Sequence, residues 1–296
     1  MQLQFVRHLT LDQPSASGYR HFAAASGLAA AGRWLYVIGD DELHLASFPA
    51  EGDAPGQLIR LFPGSLPRDP SARKAVKPDL EVLASLPPAT AYPHGALLAL
   101  GSGSTARRRS GALVTLDAEG AVESIRQLEV SGLFRAIARL VDQPNIEGAV
   151  VRDDQLLLFN RGNRARPDNL VLACSLADVT DGKTVEVIVR ARLKLDTAND
   201  VPLTVTDACS LGDRILFSAV AEDTSNAYED GKLIGTAVGA LDANLNVVHL
   251  ERVDHPVKIE GIQAWTDGDK IALLLVSDAD NPTKPAGLFK CLMVKP

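Results

Sequence analysis

Short apolar runs, separated by clusters of Gly, Asp, Asn and Pro, dominate the pattern of hydrophobic and polar positions along the chain. Runs of this length between turn-forming residues are typical of β-strands joined by tight connections. Five of the runs look alike, and they lie at 33–38, 97–100, 156–159, 214–217 and 270–275. The pattern therefore predicts an all-β protein with a repeated unit.

The neighbours of these five runs repeat as well. A short segment with a small or acidic residue precedes each run, and a second apolar strand follows it at 43–48, 111–116, 169–176, 234–241 and 287–294. In the first four units a third strand follows at 57–62, 122–128, 185–193 and 246–252. Five near-equal units of four strands predict a five-bladed β-propeller.

The fifth unit lacks an outer strand at the C-terminus, and residues 2–11 alternate like a strand that can supply it. Joining the two ends of the chain in this way removes an exposed sheet edge. We therefore expect one propeller domain over residues 1–296, closed by the N-terminal strand. A helical spacing of apolar residues over 133–141 predicts one helix, which we interpret as packing against the face where the innermost strands begin.

Charge and composition narrow the class of protein. The formal net charge is −7 and the pI about 5.4, which argues against nucleic acid and against an anionic membrane surface. The chain has no apolar stretch long enough to span a bilayer, and its first eight residues lack the pattern of an export signal. Its three cysteines are far apart and suggest no disulfide framework. We expect a cytoplasmic protein.

The repeat itself points to candidate chemistry, because the familiar catalytic motifs are missing from the sequence. The first strand of each blade lines the central channel, so equivalent positions form a ring. Those positions are Ser26, Glu81, Glu147, Asp207 and Glu260. Four carboxylates around a narrow axis need protons, a cation or basic partners, and Ca²⁺ is a hard cation that suits oxygen ligands. The alternative is internal ion pairs, with Lys258 and Lys77 as candidates, or a water-filled channel.

Polar loops at the ends of the second strands open onto the same face. Asp40 and Asp41 end this strand in the first blade, and Arg161 ends it in the blade that contributes Glu147. Arginine binds phosphate oxygens bidentately, and a metal can neutralise the charge that develops on a phosphoryl group. We therefore expect an anionic small-molecule substrate, with Arg161 stabilising charge and Asp40 or Asp41 orienting water.

These residues and their order resemble the five-bladed calcium-activated apyrases, whose channel ring runs Ser, Glu, Glu, Ser, Glu. The local stretches at 32–41, 134–141, 158–161 and 258–262 are similar too. The resemblance implies one calcium ion in the central channel and hydrolysis of nucleoside di- and triphosphates. Asp207 departs from it, because a serine stands at that position in the family.

Three functions remain open at this point. The first is a metal-dependent hydrolase of a phosphorylated small molecule, and the second is a non-catalytic propeller that binds a carbohydrate or a protein. A glycosidase is a third possibility, since a pair of channel carboxylates can perform that chemistry. Aromatic residues make up only 5% of the chain, which offers few stacking platforms for sugars.

Overall fold

The five repeated apolar runs become the second strands of five β-sheets in a computed structural model, which describes residues 1–225, 231–278 and 280–295. Four of the sheets have four strands, and the fourth blade has a fifth, very short one. The sheets are arranged as a five-bladed β-propeller, so the predicted fold class is confirmed.

The strands are named here in chain order. They are β1 (Gln4–His8), β2 (Ala25–Ala31), β3 (Trp34–Gly39), β4 (His44–Pro49), β5 (Gln57–Arg60), β6 (Leu80–Leu86), β7 (Ala96–Gly101), β8 (Gly111–Leu116), β9 (Val122–Gln127), β10 (Ile146–Arg152), β11 (Gln155–Asn160), β12 (Asn169–Ser175), β13 (Ile188–Leu193), β14 (Thr197–Ala198), β15 (Val201–Leu211), β16 (Arg214–Asp223), β17 (Lys232–Leu241), β18 (Val247–Arg252), β19 (Ile259–Asp267), β20 (Lys270–Ser277) and β21 (Gly287–Val294). The helices are α1 (Pro70–Val76), α2 (Ser131–Ile137) and α3 (Leu176–Thr180), with a 3₁₀ turn at Ala106–Arg108.

Each blade runs from an innermost strand outwards through antiparallel pairs. The sheet orders are β2-β3-β4-β5, β6-β7-β8-β9, β10-β11-β12-β13, β14-β15-β16-β17-β18 and β19-β20-β21-β1. The second strands are apolar almost throughout because both of their faces are covered by neighbouring blades. The outer strands β5, β9 and β18 are mostly exposed or half-buried, as expected at the rim of a propeller.

The hydrophobic core is divided among the interfaces between blades. Among the described residues it falls into five clusters, and each cluster joins strands of two adjacent blades. The helix α2 belongs to the cluster between blades 2 and 3, where Leu133, Phe134 and Ile137 are at most 1% exposed. Packing is thus the role of this helix, as the sequence predicts, although the helix ends at Ile137, before Val141.

The N-terminal strand closes the propeller. β1 pairs antiparallel with β21, with Gln4 opposite Lys290 and His8 opposite Gly287. The guanidinium of Arg7 on the same strand donates to the carbonyls of Pro49 and Gly52 in blade 1, each at 2.6 Å. β1 therefore completes the fifth sheet and also ties it to the first, which confirms the predicted closure.

The helix α1, which the sequence pattern did not predict, brings two cationic side chains to the channel mouth. Asp69 caps its N-terminus by accepting a hydrogen bond from the Ala72 amide at 2.8 Å. Arg73 lies in its last turn, and Lys77 is its C-cap residue. In the part of the chain that the structure describes, no helix has the length and apolar character needed to cross a membrane.

Deleting residues 2–11 should destabilise the fold strongly. The deletion removes β1 together with Leu9 and Leu11, which are 0% and 3% exposed in the core between blades 5 and 1. Losing two buried leucines alone costs about 3–6 kcal/mol, so we expect the melting temperature to fall by roughly 10 °C. Thermal unfolding followed by circular dichroism measures this.

The matched control is Val6→Thr, a substitution at a side chain of the same strand that is 42% exposed. It should change the melting temperature by no more than about 2 °C. An unchanged melting temperature in the deletion variant would show that β1 does not hold the ring closed.

Candidate functional site

A cavity of about 190 Å³ opens on the face where the innermost strands begin, and residues of all five blades line it. We call it the channel-mouth cavity. The carboxylates among its described lining residues are Asp40, Asp41, Asp79, Glu81, Glu147, Glu222, Glu260, Asp278 and Asp280, and the cations are Arg73, Lys74, Lys77, Arg108, Arg161 and Lys258. Nine acids face six bases, so the wall has an excess of negative charge when all of these groups are ionised.

Every innermost strand contains one register shift of the β-bulge type. The residue that the pairing skips is Ser26 in β2, Glu81 in β6, Glu147 in β10, Thr206 in β15 and Glu260 in β19. Since bulges re-aim a side chain at a fixed place in the strand, these five residues are the equivalent ring positions. The sequence comparison of the blades placed Asp207 at this position, which is one residue too far along β15.

The two hydroxyl residues of the ring link neighbouring blades. Ser26 Oγ donates to the Leu80 carbonyl, and Thr206 Oγ1 donates to the Ile259 carbonyl at 2.7 Å. Leu80 and Ile259 each precede the ring glutamate of the next blade. Ser26 and Thr206 are both buried and lie outside the cavity lining, so in this structure their hydroxyls position the ring glutamates of blades 2 and 5.

Asp207 also lies outside the cavity lining. Its Oδ1 accepts a hydrogen bond from the Ala208 amide at 2.7 Å and its Oδ2 accepts one from the Ile262 amide at 2.8 Å. The side chain is buried, and burial raises the pKa of Asp207 well above its usual range although these backbone amides and that of Leu28 lower it. The carboxyl group therefore connects blade 4 to the innermost strands of blades 5 and 1.

Arg161 lies among three carboxylates on one wall of the cavity. Its Nη2 donates to Glu222, its Nη1 lies 3.5 Å from Glu147 and 3.8 Å from Glu260, and its Nε donates to Thr204 Oγ1 at 3.1 Å. Burial lowers the pKa of Arg161, but the three glutamates outweigh burial and raise it. The guanidinium is a permanent counter-ion for this wall.

Lys258 continues the same ion-pair network in blade 5. Its ammonium lies 3.2 Å from Glu260, 3.4 Å from Glu222 and 2.7 Å from Asp280. Burial lowers the pKa of Lys258, but Glu260 and the other nearby carboxylates raise it well above its ordinary value. Two ring carboxylates, Glu147 and Glu260, are thus neutralised by cations of the protein itself, which is the alternative that the sequence left open.

The opposite wall, built by blades 1 and 2, holds a separate acidic cluster. Carboxylate oxygens of Asp40, Asp79 and Glu81 all lie within 4.8 Å of one another, a spacing that could hold a metal ion. Asp79 has a left-handed backbone conformation (φ 56°), which aspartate tolerates better than most residues. Its Oδ2 accepts hydrogen bonds from Ser102 Oγ at 2.5 Å and from Arg108 Nη1 at 2.8 Å, so this carboxylate is held firmly.

Two members of this cluster have unused oxygen atoms. Asp40 Oδ1 is buried without a hydrogen bond, and the described residues give Glu81 neither a hydrogen bond nor an ion pair. Burial and then the charges of Glu147 and Asp79 raise the pKa of Glu81 well above its usual range. Glu81 is only 9% exposed, and its side chain lines the cavity. A carboxylate in this situation is suited to bind a cation.

Asp41 and Glu147 are the remaining acids that the sequence singled out. Asp41 is paired with Arg73 of α1 at 3.1 Å, and burial raises its pKa to about 6. Glu147 accepts a hydrogen bond through Oε1 from Asn145 at 2.5 Å and faces Arg161 with the same oxygen, while Oε2 has no hydrogen bond to the described residues. Burial raises the pKa of Glu147 to about 7, although Arg161 lowers it.

The cavity thus brings together most of the predicted site residues. Their partners differ from the calcium ion that the apyrase resemblance implies, because Glu147 and Glu260 pair with Arg161 and Lys258. Glu81, Glu147, Glu260, Asp40, Asp41 and Arg161 all line it, whereas Ser26 and Asp207 do not. Sequence reasoning missed Asp79 and Glu222 as partners of these groups. Asp79 stands two residues before Glu81, and this spacing beside a ring glutamate was the available signal. Glu222 is the penultimate residue of β16, the second strand of blade 4, whereas Arg161 directly follows β11, the second strand of blade 3.

Comparisons with known proteins show the family. A model of a family of unknown function, DUF6929, matches residues 21–293, so the chain belongs to that family. No curated protein sequence matches the chain. Neither of these results points to the calcium-activated apyrases that the sequence motifs resemble.

Solved structures with a similar fold include several hydrolases. A GH32 β-fructofuranosidase of Bombyx mori is 10% identical with a TM-score of 0.50, covering 97% of this chain and 61% of that one. A putative glycoside hydrolase from Parabacteroides distasonis is also 10% identical with a TM-score of 0.49, covering 97% and 95%. An exo-1,5-α-L-arabinanase from a bovine ruminal metagenomic library is 12% identical with a TM-score of 0.46, covering 93% and 99%. At 10% identity the likeness to the Bombyx mori enzyme shows the fold alone, and the other two structures, with TM-scores below 0.5, carry no further argument.

Removing the Arg161 guanidinium should destabilise the protein. Arg161→Ala leaves Glu147, Glu222 and Glu260 without their shared counter-ion, and breaking a buried ion pair typically costs about 3–5 kcal/mol. Arg164→Ala is the control, because Arg164 pairs with Asp223 on the surface and its side chain is 52% exposed. We expect the control to lose less than about 1 kcal/mol of unfolding free energy in urea titrations. Equal losses in the two variants would contradict the central role of Arg161.

Glu147 should make the stability depend on pH. Its folded-state pKa of about 7 lies above the ordinary value of 4.5, so its proton stabilises the fold at low pH and this contribution is lost as the pH rises through 7. Without divalent cations, the wild type should lose about 1–3 kcal/mol more than Glu147→Gln between about pH 5 and pH 8. Urea unfolding at a series of pH values measures how the unfolding free energy of each protein changes with pH. The same pH dependence in the wild type and in Glu147→Gln would rule out this titration.

Proposed function

We propose that the protein is a divalent-cation-dependent hydrolase that acts on a phosphorylated small molecule at the channel mouth, with Ca²⁺ as the cation. The observation that carries the proposal is the cluster of Asp40, Asp79 and Glu81 on the wall of the channel-mouth cavity. Asp40 Oδ1 is buried without a hydrogen bond, and the Glu81 carboxyl has no partner among the described residues, so both have oxygens available to a cation.

The donor set fits a hard cation. Ca²⁺ takes six to eight oxygen ligands, and carboxylates of Asp and Glu are its usual protein ligands. Three carboxylates would hold the ion on one side and leave its other positions open towards the cavity. A divalent cation bound there would neutralise the negative charge that grows on a phosphoryl group during hydrolysis.

The excess of acids on the cavity wall supports a requirement for the cation. When the described lining groups are all ionised, a free phosphate ester would face nine carboxylates opposed by six cations. A bound divalent cation reduces that excess and presents positive charge to the substrate. Binding of an anionic substrate is therefore expected to depend on the cation.

Glu147 is suited to accept a proton from the attacking water. A general base works best when its pKa lies near the working pH, and burial raises the pKa of Glu147 to about 7. Asn145 and Arg161 hold its Oε1, which leaves Oε2 free to face a ligand. In this proposal Arg161 is a positioning residue for Glu147, Asp40 is a cation ligand, and Asp41 positions Arg73 of α1.

Glu81→Gln tests the proposed cation site. The substitution keeps the shape of the side chain but removes the charge of a ligand, so Ca²⁺ affinity measured by calorimetry should fall at least about tenfold. In a screen of nucleotides and sugar phosphates with Ca²⁺, Mg²⁺ and Mn²⁺, kcat/KM of the variant should fall about 10²–10³-fold, as when one charge-stabilising group is lost.

The matched control is Glu186→Gln, since Glu186 is an exposed glutamate outside the cavity lining. Its affinity and turnover should equal those of the wild type. If the wild type binds Ca²⁺ but turns over none of these compounds, the hydrolase proposal fails and the propeller is a binding module. If the wild type binds no divalent cation, the proposed site itself is wrong.

A further inference from the structure

Lys77 occupies the place where the proposed cation would bind. Its ammonium contacts Asp40 Oδ2 and lies 3.1 Å from Asp79 Oδ1, so it touches two of the three candidate ligands. Its side chain is 10% exposed and lines the channel-mouth cavity. The backbone amide of Lys77 donates to the Arg73 carbonyl at 2.8 Å, which fixes the start of the side chain at the C-terminus of α1.

We propose that Lys77 is a tethered counter-ion which the divalent cation displaces, and that the displaced ammonium turns into the cavity to bind the anionic group of the substrate. This inference rests on the proposed function. It assigns to Lys77 the substrate contact that the sequence analysis expected of Arg161.

Electrostatics requires the displacement. The ligand oxygens of the cluster lie within 4.8 Å of one another, so an ion among them and the Lys77 ammonium would be in contact with the same carboxylates. Two cations at such a distance repel strongly, and the divalent ion has the larger attraction for the carboxylates. The lysine side chain can move because its charge stands on a flexible four-carbon chain.

The other cations near the cluster are held in a different way. Arg108 binds Asp79 through Oδ2, the oxygen that Lys77 does not contact, and also donates to Ser104 Oγ at 3.1 Å. Arg73 is paired with Asp41, outside the cluster. Arg161 and Lys258 contact carboxylates of the opposite wall. Of the cations in this comparison, Lys77 is the one whose charged group contacts two proposed ligands of the ion.

The displacement gives a physical reason for an anionic substrate in an acidic cavity. When the cation binds, its own charge is added to the site and the Lys77 ammonium is released from two carboxylates. Both changes favour an anion, so the cation and the anionic ligand should bind cooperatively. Such coupling is reciprocal, because each ligand must raise the affinity of the other by the same factor.

Lysine labelling of the wild-type protein tests the displacement directly. Reductive methylation followed by mass spectrometry should modify Lys77 at least about tenfold faster with saturating CaCl₂ than with chelator, because its ammonium leaves the two carboxylates. Lys183 is the internal control, since it pairs with Asp181 on the surface and is 60% exposed. An unchanged rate at Lys77 in the Ca²⁺-bound protein would overturn the inference while leaving the proposed function intact.

Calorimetry of Lys77→Met tests both halves of the inference. Removing the competing ammonium should raise the affinity for CaCl₂ alone by about tenfold or more, whereas methyl phosphate should bind the Ca²⁺-saturated variant about tenfold more weakly than the Ca²⁺-saturated wild type. Lys183→Met should change neither affinity. If Lys77→Met does not fold, Lys77→Arg serves instead. The arginine guanidinium is larger and can bind the carboxylates through two donors, so it should compete better with Ca²⁺ and weaken Ca²⁺ binding at least about threefold.

Equal or weaker Ca²⁺ binding by folded Lys77→Met, or undiminished binding of methyl phosphate, would overturn the inference. Absence of Ca²⁺ binding in the wild type would overturn the proposed function together with it. If the wild type and Lys77→Met turn over a substrate with the same KM, Lys77 does not contact the substrate. That result would overturn this part of the inference and leave the displacement by the cation standing.

Discussion

The crowding of carboxylates around one narrow channel mouth is the constraint on which the site depends. Nine acids among the described residues line a cavity of about 190 Å³, and their mutual repulsion must be offset by cations or by protons. On the wall formed by blades 3 to 5, Arg161 and Lys258 provide permanent positive charge. On the wall formed by blades 1 and 2, Arg73, Lys77 and Arg108 also pair with acids, but Asp40 Oδ1 and the Glu81 carboxyl keep oxygens without a partner among the described residues. Free carboxylate oxygens, and not a lack of cations, mark the part of this wall that could hold a metal ion.

The arrangement of the innermost strands produces this difference between the walls. Each strand has one bulge, and the bulge residue is a glutamate in three blades and a hydroxyl residue in two. The hydroxyls of Ser26 and Thr206 are used to hold the next blade, and the neighbouring carboxyl of Asp207 binds backbone amides across three blades. These contacts fix the distance between blades at the channel axis. The glutamates are then free to differ in their partners, because they do not have to maintain the ring.

The fold could be predicted from the sequence because its main determinants are local. The second strand of each blade is buried on both faces and so reads as a short apolar run, and five such runs at near-equal spacing define the number of blades. The register of blade 4 was harder to predict, because Asp207 resembles the ring acids. A glycine follows the bulge residue in blades 1, 3 and 5, and Asp207 follows the bulge residue Thr206 in blade 4, so Asp207 corresponds to the glycine position. The partners of Arg161 and the contribution of α1 depend on loop conformations that the repeat does not encode.

The position of a bound cation shows which wall of the channel mouth binds it. Crystals soaked in MnCl₂ give an anomalous signal that locates the ion, and Mn²⁺ accepts the same oxygen ligands as Ca²⁺. We expect one strong peak within coordinating distance of the carboxylates of Asp40, Asp79 and Glu81, with Arg161 still bound to Glu147 and Glu260. A peak between Glu147 and Glu260 with Arg161 displaced, or no peak in the channel mouth at all, would contradict it.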